Sequence, residues 1–350
     1  MPRTADVRRG GAWATLAGAV LVVACARGSD PAPPPSSPTA AAPTAATATD
    51  AQTAPQAGGW ERLVAAPSRR TEVTAATDGE EIVVVGGFVE GGDTVPTVEI
   101  FDPRAGAWRN GPDLPVSVNH AMSTGLDGSV YVLGGYLGPG LARPSDRAFR
   151  LHEGAWQELP RLPEPRAAGG AAAVAGEVYV AGGVGRNGLA DTLLIFDPGT
   201  GSWRTAPGPP TLREHLGVAA TEDRLFVVGG RTGGIGTNLA AAEEFDAQAG
   251  EWRRLPDLPT ARGGIGAAGT DTGFVLAAGG EDASGTFADA EAFDVREGRW
   301  RVLPPLPTAR HGLGVVAIGV RVYTIAGGPD PGYAFSDAVE VIELRREPTA

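Results

Sequence analysis

Five arginines occupy one recurring place in this chain: Arg70, Arg166, Arg213, Arg262 and Arg310 each follow a proline by three residues, and the last four are 47 to 49 residues apart. Val118 holds the remaining such place. A guanidinium is a planar fork of donors that suits carboxylates, so several on one rim would capture an anion. Three of the four histidines gather nearby, His120 and His215 two residues beyond the arginine place and His311 one beyond it. Imidazoles at such a rim can bind ligand, move protons or hold a metal. His152 falls in a turn and reads as surface.

The elements that position these residues come from three series in register. Glycine doublets that end apolar runs stand at Gly86-Gly87, Gly134-Gly135, Gly182-Gly183, Gly229-Gly230, Gly279-Gly280 and Gly327-Gly328. Trp60, Trp108, Trp156, Trp203, Trp252 and Trp300 keep the same beat of 47 to 49 residues. Between doublet and tryptophan run VEIFDP, RAFRLHEG, LLIFDPGTG, AEEFDAQAG, AEAFDVREG and VEVIELRR. Each repeat therefore reads as four short strands. Strand A follows the proline and arginine, B ends in the doublet, C carries the Phe-Asp pair and D the tryptophan.

A period of 40 to 50 residues with four strands per unit indicates a propeller, and Gly-Gly, aromatic-Asp and a downstream Trp together resemble the kelch repeat. The resemblance covers residues 57–344, six units of 48. It implies an all-β, six-bladed propeller with four antiparallel strands per blade. The series opens on a lone strand D, GGWERL, and closes on an A–B–C set without its tryptophan. The N-terminal strand is thus expected to complete the last blade and leave no open sheet edge.

Alternation of strand direction puts the B–C and D–A connections on one face. The B–C loops are long and mutually unlike (FVEGGDTVPT, RTGGIGTNLA, PDPGYAFSD), which marks that face as the functional one. The arginines open strand A on this face. Two readings are open for them: a ring around the channel mouth that binds an anionic ligand, or internal pairing with Glu99, Glu243, Glu291 and Glu340 of strand C. The histidines, in blades two, four and six, are expected to lie around a wide ring, too far apart for one ion. Neither metal nor other cofactor is expected.

The N-terminus is of another kind. Arg3, Arg8 and Arg9 precede the apolar stretch Ala12–Ala24 and then Cys25, the one cysteine of the chain. This is the pattern of a secretory signal, residues 1–24, and the place of Cys25 resembles the lipobox of bacterial lipoproteins, which implies lipidation there. The segment 25–56, rich in Pro, Ala, Ser and Thr, cannot form a core and reads as a tether; residues 345–350 read as a tail.

Composition excludes several functions. Every one of the 29 basic residues is arginine, which rules out lysine Schiff-base chemistry and a P-loop lysine. GGIGT at 233–237 lies in a B–C loop without a following helix. A net charge of −12 disfavours nucleic acid as a partner. With Cys25 in the leader, the tyrosine–cysteine cofactor of galactose oxidase-type kelch enzymes cannot form, and the actin binding of some kelch proteins does not suit an exported chain.

The expectation is an exported, lipid-anchored monomer that binds a protein or an anionic glycan without catalysis, with Arg70, Arg166, Arg213, Arg262, Arg310, His215 and His311 as candidate contacts. The alternative implied by the resemblance is a periplasmic carbohydrate-active enzyme akin to a sialic acid mutarotase, with Arg213 and His215, or Arg310 and His311, as its acid–base and carboxylate-binding groups. That likeness is one of fold and compartment.

Overall fold

The structure, a computed structural model, describes residues 58–141 and 143–346. The signal segment, Cys25 and the tether lie outside the described residues. Within them, six four-stranded antiparallel sheets follow one another along the chain. In blade four the strands are Gly217–Thr221, Arg224–Val228, Ala242–Asp246 and Glu251–Arg254, in spatial order A–B–C–D. The last sheet takes its outermost strand from the other end of the chain: Glu61–Arg62 pairs with Val339–Glu343, Glu61 opposite Val341 and Arg62 opposite Glu340. The expected closure is present.

The core is a set of layers between blades rather than one central mass. Ile82, Val84 and Phe101 of blade one meet Tyr323, Ile325 and Val341 of blade six, and each neighbouring pair of blades repeats this arrangement. Strand B supplies much of it because its β-branched and aromatic residues are covered on both faces, which explains its unbroken apolar runs. The tryptophans latch the rim. Trp60 Nε1 donates to the Pro304 carbonyl at 2.8 Å, and Trp156, Trp203, Trp252 and Trp300 reach Pro112, Pro160, Pro207 and Pro256 of the preceding blade in the same way. The strand C phenylalanines pack on the same indoles, with Phe245 and Trp252 ring centres 5.1 Å apart.

The glycine doublets let one blade touch the next. Gly134 has φ 61°, and a Cβ there would lie 2.1 Å from the Arg166 carbonyl oxygen of the following blade. The N–H of Gly135 donates to that same oxygen at 2.8 Å. Only glycine combines this backbone with this approach. The sixth unit departs from the expected register. Ala326 (φ 56°) and Gly327 (φ 98°) hold the doublet's places, and it is Gly327 that donates to the carbonyl of Arg70. Gly328 is the residue after the doublet.

Of the segment 345–350, residues 345 and 346 are described. Arg346 donates to both carboxylate oxygens of Asp294, at 2.9 and 3.1 Å, and lies 4.6 Å over the Phe274 ring, which ties this residue to blade five.

Candidate functional site

The arginine places resolve into struts. Arg70, Arg166, Arg213, Arg262 and Arg310 are at most 1% exposed. Arg70 donates to Glu99, Arg213 to Glu243 and Arg310 to Glu340, each at 2.6 Å, and Arg262 pairs with Glu291 in the same manner. Further donors go to carbonyls at the end of strand B, Arg310 Nη1 to Ala326 at 2.7 Å and Arg70 Nη1 to Gly86 at 2.9 Å, and to others such as Thr97 and Thr211. Blade three has Leu194 where the glutamate would be, and Arg166 turns to Glu164 and Thr192. The five arginines therefore form no open rim, and the expectation that they contact an anionic ligand is corrected: their charge is neutralised inside the sheets. Neither Arg213 nor Arg310 is free to hold a sugar carboxylate.

The residues just beyond the struts behave differently. Glu72, His120, Ala168 and His215 have φ between 49° and 53°, and Gly264 and Gly312 share the left-handed conformation at 71° and 56°. One such residue per blade turns the chain toward the axis and bonds to its neighbour. His120 N donates to Glu72 O (3.2 Å), Ala168 to His120 (3.0 Å), His215 to Ala168 (2.7 Å), Gly264 to His215 (2.9 Å) and Gly312 to Gly264 (3.0 Å). Gly312 closes against Glu72, whose N would lie 2.9 Å from a Cβ placed there. This backbone ring stands at one end of an axial cavity of about 320 Å³ lined otherwise by strand A residues such as Thr74, Ser123 and Ala171.

The ring explains why three histidines expected far apart come together. The rings of His120 and His215 meet edge to face with centres 4.8 Å apart. Glu72 Oε2 is 3.2 Å from His120 Nε2, and Glu72 Oε1 accepts from His311 Nδ1 at 3.1 Å. His311 also lies 3.6 Å from Glu281, Glu281 accepts from Arg231 at 3.0 Å, Arg231 donates to Glu214 at 2.9 Å, and Glu214 accepts from His215 at 2.6 Å. These seven residues form a closed circuit of contacts drawn from blades one, two, four, five and six. Phe88 and Tyr136 meet His120 edge to face, and the exposed ring of Tyr333 packs on Phe88, which adds aromatic surface to the site.

Burial sets the protonation pattern. It pushes the His120 imidazole down to about 4, against the pull of Glu72, so this ring is neutral at neutral pH. Burial would raise Glu72, but His120, His311 and His215 outweigh it and hold the carboxyl well below its usual range. Glu214 is likewise lowered, its burial overcome by His215 and Arg231. His311 is raised: burial opposes its charge, but Glu72 and Glu281 prevail. Tyr136 is pushed up to about 12 by burial and by Glu214, and keeps its proton.

Sequence reasoning found the histidines and missed Glu72, Glu214, Arg231 and Glu281. Arg231 and Glu281 directly follow the doublets Gly229-Gly230 and Gly279-Gly280, where blades one to three carry Phe88, Tyr136 and Val184. A charge at a place that other repeats fill with apolar residues was the available signal.

Residues 119–328, more than half of the chain, match the family model of the KLHDC2/KLHL20/DRC7 Kelch-repeats domain. The chain belongs to the kelch-repeat family. The general Kelch motif matches residues 69–115, so the matched units run from the first strut, Arg70, to Gly328. Among solved structures, this kelch propeller is similar to the one described as "Structure of YjhT", with a TM-score of 0.68 and 19% identity over 79% of this chain and 95% of that one. That likeness is one of fold. No curated protein matches in sequence.

Proposed function

We infer that this kelch propeller is a binding module whose ligand is a neutral, hydroxyl-rich glycan seated on the long-loop face over the axial ring. One observation carries the reading: ionisable side chains occupy places that the fold fills elsewhere with Ala168, Gly264 and Gly312. A non-glycine residue in the left-handed region costs about 1–2 kcal/mol, and buried charge adds a desolvation cost. Glu72, His120 and His215 accept the backbone strain, and Glu72 the desolvation as well, where glycine would serve the ring, and such outlay at a cleft marks function.

The chemistry selects the ligand class. Three carboxylates face one guanidinium, so the site disfavours the anionic glycan that an open arginine ring would have attracted. Acceptor carboxylates, Arg231 and the Tyr136 hydroxyl suit sugar hydroxyls, and the Tyr333 and Phe88 rings suit the apolar face of a pyranose. Export and a lipid anchor at Cys25 belong to the same reading, since they would present this face to extracytoplasmic glycans.

Calorimetric titration of the full chain with matched neutral and carboxylated oligosaccharides tests it. Neutral sugars should bind, and Glu281→Gln should weaken binding at least about tenfold, the loss of one contact to a charged group. Preference for the carboxylated sugars, or binding indifferent to Glu281→Gln, would exclude this site.

A further inference from the structure

We propose that Glu72, His120 and His215 bind a divalent first-row metal ion of the zinc type on the propeller axis. One ligand atom from each residue lies within 4.8 Å of the others, and all three residues line the axial cavity. Two imidazoles and a carboxylate form a three-ligand set that leaves a further coordination position open.

The hydrogen bonds fix the tautomers in the way a metal requires. The Asn119 amide N–H donates to Thr94 Oγ1 at 2.9 Å and faces the Gly138 and Gly140 carbonyls, which turns the Asn119 carbonyl oxygen to His120 Nδ1 at 2.7 Å. Two acceptors cannot bond each other, so Nδ1 carries the hydrogen and donates. Nε2 then faces Glu72 Oε2, 3.2 Å away, and a metal ion can take the place of the proton between these two atoms. His215 repeats the pattern: Nδ1–H donates to Glu214 Oε2 at 2.6 Å, which leaves Nε2 as the nitrogen available to a metal. A carbonyl or carboxylate behind each imidazole is the outer shell that orients metal-binding histidines and raises their basicity.

Charge and space agree with this. The circuit holds three carboxylates, Glu72, Glu214 and Glu281, against the one guanidinium of Arg231, an excess of acidic groups that favours a dication. Metal–ligand bonds of about 2.0–2.2 Å put tetrahedral ligand atoms about 3.4 Å apart, so the three must close by about an ångström, which side-chain rotation supplies while the backbone ring stays fixed. The open position faces the cavity, where water or a sugar hydroxyl can fill it. The proposal rests on this basin being a ligand site, but the metal is measured without glycan, so either reading can fail alone.

The test uses the full chain carrying Cys25→Ser, so that the thiol does not compete, stripped by chelation and titrated with Zn²⁺ in a calorimeter and with Co²⁺ in a visible spectrometer. We expect one ion per chain, a raised melting temperature and the visible bands of low-coordinate Co²⁺. His120→Ala with His215→Ala should abolish all three, and Glu214→Gln should weaken affinity about 10- to 100-fold. Ala168 shows that alanine is tolerated at this ring place. Should the double variant nevertheless fail to fold, Glu72→Gln, which keeps the side chain's shape, replaces it with the same expectation. Absence of Zn²⁺ binding, or an affinity unchanged in these variants, overturns the proposal.

Discussion

Arg213 donates to Glu243 across 2.6 Å with both side chains shut off from solvent, while blade two fills the same two places with Val118 and Phe149, equally buried. The propeller thus contains both an ion pair and its apolar replacement in equivalent positions. Removing one partner of a buried pair costs about 3–5 kcal/mol, because the other is left as an uncompensated charge, whereas exchanging both for well-packed apolar groups is often neutral. Arg213→Ala should therefore lose about that much in urea unfolding, and Arg213→Val with Glu243→Phe should recover at least half. A double variant as unstable as the single one would show that the strut's bonds to the Val227 and Thr211 carbonyls, not its charge pairing, matter most.

Ring closure makes a contrast between two truncations. Deleting residues 57–66 removes the Glu61–Arg62 strand and the Trp60 latch to Pro304, exposing the edge of Val339–Glu343. The shortened protein should melt far lower or aggregate. Deleting residues 26–56 should leave the melting temperature unchanged. Equal melting of both would remove the argument for closure.

Asp294 gives a pH dependence of defined sign. Burial would raise its carboxyl, but the Arg346 hydrogen bond, the Glu297 N–H and the charges of Arg346 and Arg301 hold it below its usual value. A depressed carboxyl stabilises the fold above its unfolded pKa of about 3.9, and that contribution disappears as pH falls through the lower folded value. Arg346→Ala should cost about 1–3 kcal/mol at neutral pH, with the difference from the parent shrinking below pH ~4. A gap in urea midpoints that stays constant down to acid would refute the pairing.

Cys25→Ser should move the expressed protein from the membrane fraction to the soluble one, or block its processing, since this is the chain's one thiol. Unchanged partition into detergent would count against a lipid anchor.

Periodicity made the blades legible before any coordinates: doublet, Phe-Asp pair and tryptophan each have one mechanical task repeated around the ring, and repeated tasks leave repeated residues. Where the structure departs from that reading, one backbone fact is responsible. Ala326 takes a left-handed conformation that the sequence assigns to glycine, which moved the sixth doublet by one residue. The same conformation at His120 and His215 draws both toward the axis, so a reckoning from blade positions alone set them too far apart. Glu214, Arg231 and Glu281 were hidden for a different reason. Charges near loops are ordinarily solvated, and only the neighbouring blades' contacts show these to be enclosed.

The hydrogen-bonded ring at the channel mouth has a bearing on how such a protein can change. Five of its six N–H groups are already committed to neighbouring ring carbonyls, so the side chains mounted on it carry little of the structural duty. They behave as interchangeable fittings in six sockets, two now holding imidazoles, one a carboxylate and three nothing larger than a methyl group. Selectivity can be rewritten by exchanging fittings, one blade at a time, without renegotiating the architecture that presents them.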